Sequence, residues 1–267
     1  MQQLTNKSRF ATLLVAAAFI SFGATSCSKA DVAAPAAGEN TEELRQFIVS
    51  TTGEHNVSYD AASQDFLIDG GDSRMSLEDA KAHFKAAGST TALGGGTAST
   101  EGIQHRKSYY AVAPAKAIAV KIYANPTVPA VWMAALDKAI ANWNAAGSKL
   151  SITRVNYAGA GIMNVVGANS GATGVVATTY YPDANSNVGK SCTINTNYNY
   201  LSAGQQIFAI THELGHAFGF GHTNSTYGTL VTGTPDADPN SIMNSVCLNW
   251  TAFTAYDLQA IRTVYPK

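Results

Sequence analysis

Three of the six histidines in this 267-residue chain fall within eleven positions: His212, His216 and His222. Glu213 follows the first of them, and Gly219 lies between the second and third. On a helix, positions i and i+4 share a face, so His212 and His216 can offer two imidazoles to one metal ion. Gly219 can take a positive φ and end the helix, letting the chain turn back and bring in His222 as a third ligand. Three protein ligands with one open position are the pattern of a catalytic zinc site, whereas structural zinc sites are closed by four. Glu213 is then placed to take a proton from attacking water, so the chemistry implied is metal-assisted hydrolysis.

The element that must carry this motif is a helix from about 203 to 219, with Ile207, Ile210 and Leu214 on its buried stripe. Ahead of it the pattern predicts strands over 117–123, 150–155, 161–166, 175–181 and 192–195. A helix opening at Pro129 and ending near Gly147 sets Trp132, Leu136, Ile140 and Trp143 at helical spacing, as core residues. Thr254-Ala255-Tyr256-Asp257 caps a last helix through Ile261 and Val264, closed by Pro266. Strands, then the motif helix, an irregular stretch and a final helix describe an α+β domain over 103–267.

A smaller unit precedes it. Residues 41–48 read as a short helix, and 57–59 and 66–69 as strands around the turn 60–63. Ser76-Leu77-Glu78-Asp79 opens a helix as a capping box, running to about Ala87. Residues 89–102, rich in Gly, Ser and Thr, read as a flexible linker, with a domain boundary at about 103. Residues 27–41 are a small-residue tether.

Lys7 and Arg9 precede an apolar run from Phe10 to Phe22 and small residues after it, which is a secretory signal over 1–26. Ala24-Thr25-Ser26-Cys27 resembles the lipobox at which bacterial lipoproteins are cut and acylated, which makes Cys27 a lipidation site. The first lipobox position is usually leucine, and plain cleavage after Ser26 is the alternative. The chain is thus expected to be exported, as an outer-membrane or cell-surface lipoprotein or as a secreted protein. Its contact with membrane would be through that lipid alone. With Cys27 acylated, Cys192 and Cys247 remain as a pair in an oxidising compartment, where a disulfide is expected; two buried thiols are the alternative. Charge is sparse, 13% of residues, and balanced to a net −1, with no basic cluster beyond the N-terminus, so nucleic-acid binding has no electrostatic footprint.

On these residues the chain resembles the metzincin zinc peptidases, which share HExxHxxGxxH and a methionine turn downstream. Within them it is most similar to the bacterial dual-action HEIGH metallopeptidases. The resemblance covers most of 103–266: Ala141-Asn142-Trp143-Asn144, the histidine motif, the tail from Gly233 to Asn244, then Trp250 and Asp257. It implies a twisted, mostly parallel sheet, a zinc helix and a small C-terminal subdomain. His212, His216 and His222 would hold zinc, Glu213 would be the base, and Met243 in Ser241-Ile242-Met243-Asn244 would floor the site. Some metzincins carry a tyrosine two residues beyond that methionine; here it is Ser245, so an extra oxyanion donor would come from elsewhere, Tyr227 or Tyr256, or zinc itself would suffice as electrophile. Phe66-Leu67-Ile68-Asp69-Gly70-Gly71-Asp72 loosely resembles a pro-segment stretch that sets an aspartate on zinc. Residues 42–88 would then be a pro-segment with Asp72, or else Asp69, as the zymogen ligand; a glycine-aspartate hairpin turn is the other reading. Asp183, Asn185, Asp236 and Asp238 could hold calcium or form polar turns. The function expected is a monomeric zinc endopeptidase acting on polypeptide. The rivals are a non-catalytic metal-bearing binding module and a zinc hydrolase of non-peptide bonds.

Overall fold

β-Branched and apolar residues alternate along four short segments, and these form the parallel heart of one sheet. The computed structural model describes residues 41–89, 106–107, 111–223, 229–235 and 238–267. The signal and tether, Cys27, Tyr227, Asp236 and nearly all of the expected linker lie outside them. Strands β5 (Val120–Ala124), β6 (Ile152–Val155), β7 (Ile162–Ala168) and β9 (Ser191–Asn195) pair in parallel, in the order β6-β5-β7-β9. Their inward residues Ile122, Met163, Val165 and Ile194 are buried. β8 (Ala177–Tyr180) adds on antiparallel to β9, and places Ala177 and Thr179 on the buried face.

Helix α4 (Ala130–Ala145), with Pro129 as its N-cap, covers this sheet and buries Trp132, Leu136, Ile140 and Trp143. The two indoles find partners, as buried Trp N–H groups must: Trp132 Nε1 donates to Asn199 at 2.7 Å, and Trp143 Nε1 to the Thr211 carbonyl at 2.9 Å. The second bond ties α4 to α5 (Ala203–Phe218), the helix carrying the histidine motif. A short α3 (Pro114–Ala117) precedes β5, and α6 (Ala255–Val264) closes the chain behind a capping box of Thr254 and Asp257. Arg106–Lys107 (β4) and Thr229–Leu230 (β10) form a separate two-stranded ladder. Among the described residues no helix is long and apolar enough to cross a membrane.

The N-terminal segment is α1 (Thr41–Thr52), β1 (Val57–Asp60), β2 (Asp65–Ile68), β3 (Ser73–Ser76) and α2 (Leu77–Ser89). β1 and β2 form the expected hairpin. β3 was not foreseen: it pairs antiparallel with β2 and, on its other edge, parallel with β8. The full sheet is therefore eight-stranded and mixed, β1-β2-β3-β8-β9-β7-β5-β6. Residues Asn40–Lys267 make one compact unit, so the division expected at about residue 103 is not a separation in space. Apolar side chains do collect in two clusters. One fills the space between the parallel strands, α4 and α5; the other, Leu44, Phe47, Ile48, Phe66, Ile68, Met75 and their neighbours, belongs to the segment and takes in Tyr181.

Candidate active site

Ser202 and Gln205 cap the start of α5 reciprocally, and Gly219 ends it in the left-handed region at φ 99°. That conformation suits glycine, which has no Cβ to clash, and it lets the Gly219 N–H return to the His216 carbonyl at 2.9 Å. The chain then doubles back. His212 and His216 lie one turn apart on the buried side with ring centroids 4.6 Å apart, and His222 arrives 5.1 and 4.8 Å from them.

The rings are turned by what holds their far nitrogens. His212 Nδ1 is 2.7 Å from the Ile242 carbonyl, and His216 Nδ1 is 2.9 Å from that of Phe220. A carbonyl can only accept, so Nδ1 carries the proton in each and Nε2 is left as a free donor of electrons. The Nε2 atom of His222 is 3.1 Å from that of His216 and 3.2 Å from that of His212. Asp72 Oδ2 stands over all three, at 3.3, 2.9 and 3.0 Å from His212, His216 and His222. Four such atoms approximate a tetrahedron with edges of about 3.1 Å, whose centre is about 1.9 Å from each corner, close to the bond lengths of tetrahedral zinc. The residues present fit zinc. Burial favours the neutral carboxyl of Asp72, but the three histidines outweigh it and hold it well below the ordinary carboxylate range. Burial, aided by the neighbouring His212 and His222, takes His216 down to about 4 against that same carboxylate.

Glu213, on the next face of α5, is 2% exposed, and its Oε2 has no partner. Burial, aided by the charge of Asp72, pushes its carboxyl well above its usual range. Beneath the motif, Ser241–Asn244 form a turn closed by Asn244 N–H to the Ser241 carbonyl at 3.1 Å. Met243 is 1% exposed, and its sulfur packs where a Cβ on Gly215 would be, so the glycine in the motif makes room for the methionine. Buried Asp257 fixes this turn, accepting from Ser241 Oγ at 2.7 Å and from Ile242 N–H at 3.1 Å. A line of contacts thus runs from α6 through Ile242 to His212.

The structure brings together His212, His216, His222 and Asp72, with Met243 below and Glu213 beside. Asp69 takes the opposite side of His222, its carboxylate 2.9 Å from Nδ1. Three contributors escaped the sequence reading. Glu54 Oε1 accepts from the His222 N–H at 3.3 Å, Tyr181 lays its ring edge against His216 with centroids 5.4 Å apart, and Thr179 lies beside Glu213. Tyr256 is exposed on α6, while Ser245 lines a cavity of about 80 Å³ with Asp72, His212, Glu213 and Cys247.

One expectation needs correction. Cys192 and Cys247 are free thiols, not a disulfide. Cys192 is buried in the core on β9, and Cys247 turns its sulfur to the Gln205 carbonyl. Of the acidic loops, those at Asp183 and Asp238 are built as polar turns. Asp183 spends its carboxylate on Asn185 N–H, Asn187 N–H and the Asn187 amide at 2.7–2.9 Å, and Asp238 on Asn240 N–H and Thr254. Among the described residues the groups able to hold an ion are Asp72 with the three histidines, and Glu54, Asp69 and His222.

The family described as dual-action HEIGH metallo-peptidase matches this chain over residues 79–265. Among solved structures, the crystal structure of myroilysin is 18% identical with a TM-score of 0.40, covering 55% of this chain and 83% of that one. High choriolytic enzyme 1, a hatching enzyme zinc-protease from the medaka fish Oryzias latipes, is 16% identical with a TM-score of 0.41, covering 58% and 93%. No curated protein sequence matches the chain. The family match spans the histidine helix, the methionine turn and α6, and on it the chain belongs to the dual-action HEIGH metallopeptidases and is a zinc metalloendopeptidase.

Proposed function

We propose that this peptidase is exported, uses Glu213 as its general base, and in the form described is latent, closed by its own segment 42–88. The observation that carries the reading is β3. It lies along the exposed edge of β8, where an extended peptide would otherwise add as a strand, and delivers the Asp72 carboxylate to the fourth corner of the metal site. Asp72 O accepts from Thr179 N–H at 3.1 Å and Arg74 O from Tyr181 N–H at 3.0 Å, so main chain fills the edge while side chain fills the metal position. Met75 and Leu77 keep the strand seated by burying themselves in the segment's own cluster.

His212, His216 and His222 hold zinc, which when bound polarises a scissile carbonyl and makes water more acidic. Glu213 takes the proton of the attacking water and returns it to the leaving amine. Its burial keeps bulk water away, and Thr179 on β8 adjoins it, so a peptide on that strand would pass directly over the base. Met243 holds the helix floor rigid beneath the ligands. The charged start, apolar run and lipobox-like Cys27 support export with a lipid anchor at the outer membrane or cell surface, or plain secretion, and one chain holds the whole metal site, which suits a monomer.

The test is a comparison of wild type and Glu213→Ala, both with zinc content measured, on a mixed peptide library before and after release of the segment. Wild type should cleave only after release, and the variant should hold zinc without cleaving. Cleavage that survives in Glu213→Ala would sink the assignment of the base, and full activity of the intact chain would sink latency.

A further inference from the structure

The three zinc ligands are not held alike. His212 and His216 each turn Nδ1 to a main-chain carbonyl from the part of the chain that carries α5, at 2.7 and 2.9 Å. His222, 1% exposed, has no such carbonyl. Its Nδ1 faces two carboxylates of the N-terminal segment instead, Asp69 Oδ2 at 2.9 Å and Glu54 Oε1 at 3.4 Å. The Asp69 oxygen approaches out of line with the ring N–H, so this is a charge contact and not a linear hydrogen bond. Glu54, 6% exposed, also accepts from the backbone N–H of His222 at 3.3 Å.

The turn between β2 and β3 explains how one segment reaches both sides of the ring. Asp69, Gly70 and Gly71 all take positive φ, at 47, 67 and 103°. For Asp69 that conformation is one a side chain seldom adopts. The turn sets Asp69 on Nδ1 and Asp72 on Nε2 of the same histidine, 2.9 and 3.0 Å away.

We infer that Asp69 and Glu54 are positioning residues for the metal site, holding the third zinc ligand in place by charge from outside the catalytic body. The inference rests on the reading of His212, His216 and His222 as zinc ligands and goes beyond the closing role of Asp72. A carboxylate on the far nitrogen of a ligating imidazole fixes the ring and strengthens its donor nitrogen, and losing such a partner typically weakens metal binding about 10–100-fold. The segment therefore does two opposite things at one residue. It blocks the metal's open position, and it secures the ligand that has no support of its own. Release of the segment should leave zinc both accessible and less tightly held.

The experiment uses the full chain carrying Asp69→Asn, Glu54→Gln or both, beside Asp72→Asn and wild type. Zinc dissociation constants are read by competition with a chromogenic chelator, and unfolding midpoints are read with and without zinc. Both single variants should bind zinc more weakly, by about 10-fold for Asp69→Asn, and the double variant by up to about 100-fold. Their metal-free midpoints should stay at the wild-type value, while the rise in midpoint given by zinc shrinks. Wild-type zinc affinity in the double variant would overturn the inference. So would a metal-free midpoint that falls as far as the zinc-bound one, since the residues would then be architectural. A wild type that takes up no zinc would overturn the zinc reading itself, and this inference with it.

Discussion

Replacing Asp72 by alanine should open the metal without opening the enzyme. The substitution removes a carboxylate from the fourth corner of the site but leaves the main chain of β3 where it is. Among the bonds to β8 and the residue after it that survive are three: Thr179 N–H to Asp72 O at 3.1 Å, Tyr181 N–H to Arg74 O at 3.0 Å, and Thr178 Oγ1 to Gly71 O at 2.7 Å. At about 1 kcal/mol each they contribute about 3 kcal/mol. Burial of Tyr181 in the segment's apolar cluster adds about 2 kcal/mol. These contacts alone, about 5 kcal/mol, leave β8 uncovered in at most one molecule in roughly 10³–10⁴. A small hydroxamate needs only the metal position, whereas a peptide needs the strand edge as well. In the full chain, Asp72→Ala should therefore bind acetohydroxamate at least about tenfold more tightly than wild type, a change of about 1.4 kcal/mol. Turnover of a quenched fluorescent peptide should rise far less. Titration of the hydroxamate and the peptide assay are run on the same preparation. Peptide turnover that climbs in step with hydroxamate affinity would refute the argument, because the carboxylate would then be the whole barrier.

Other substitutions probe the surroundings. A Cβ at position 215 collides with the Met243 sulfur, so Gly215→Ala should cost about 1–3 kcal/mol; at roughly 2–4 °C per kcal/mol the melting midpoint falls by several degrees, and adding Met243→Ala should recover part of it. His83 on α2, whose Nε2 meets the Pro182 carbonyl at 3.3 Å, has its pKa lowered by burial. Its neutral form is the one the fold favours, so the stability it lends is intact above about pH 6.5 and is lost as pH falls through the lowered value. Limited proteolysis of the segment should thus speed up on moving from pH 7.5 to 5, and less so in His83→Asn. Alkylation of the unreduced, denatured chain followed by peptide mass analysis should find both Cys192 and Cys247 modified; a 192–247 cross-linked peptide would restore the disulfide.

The parts of this molecule written in short-range pattern were legible in the sequence. Helix α5 begins at Ala203 and stops at Gly219 because a capping box and a left-handed glycine mark its ends, both of them local signals. The spacing of His212, His216 and His222 carried the metal site for the same reason. What the sequence did not disclose is pairing over distance. β3 is four residues whose partner β8 lies about a hundred positions downstream, and no periodicity in Ser73-Arg74-Met75-Ser76 announces a parallel ladder. Glu54 sits in Thr52-Gly53-Glu54-His55, where nothing local distinguishes it from a solvated acid; its role exists only because the sheet carries it to His222. Tyr181 is invisible for a related reason, being the residue after a strand whose far side the segment covers. Asp69 and Asp72 were marked together, but which nitrogen each would face depends on three consecutive positive φ angles, two of them at glycines.

The apolar side chains divide into two clusters, with Tyr181 from beyond β8 packed in the segment's own, and that arrangement governs how the molecule comes apart. A segment with a core of its own, joined to its neighbour by a short ladder, one aromatic ring and a set of polar contacts centred on the three histidines, can open as a cooperative unit while the remainder stays folded. Amide hydrogens of β1, β2 and α1 would then exchange together, at one opening free energy below that of α4 and α5. Under the proposed latency, activation would be a sub-global unfolding event, its rate set by how often that one unit opens rather than by the accessibility of any single peptide bond.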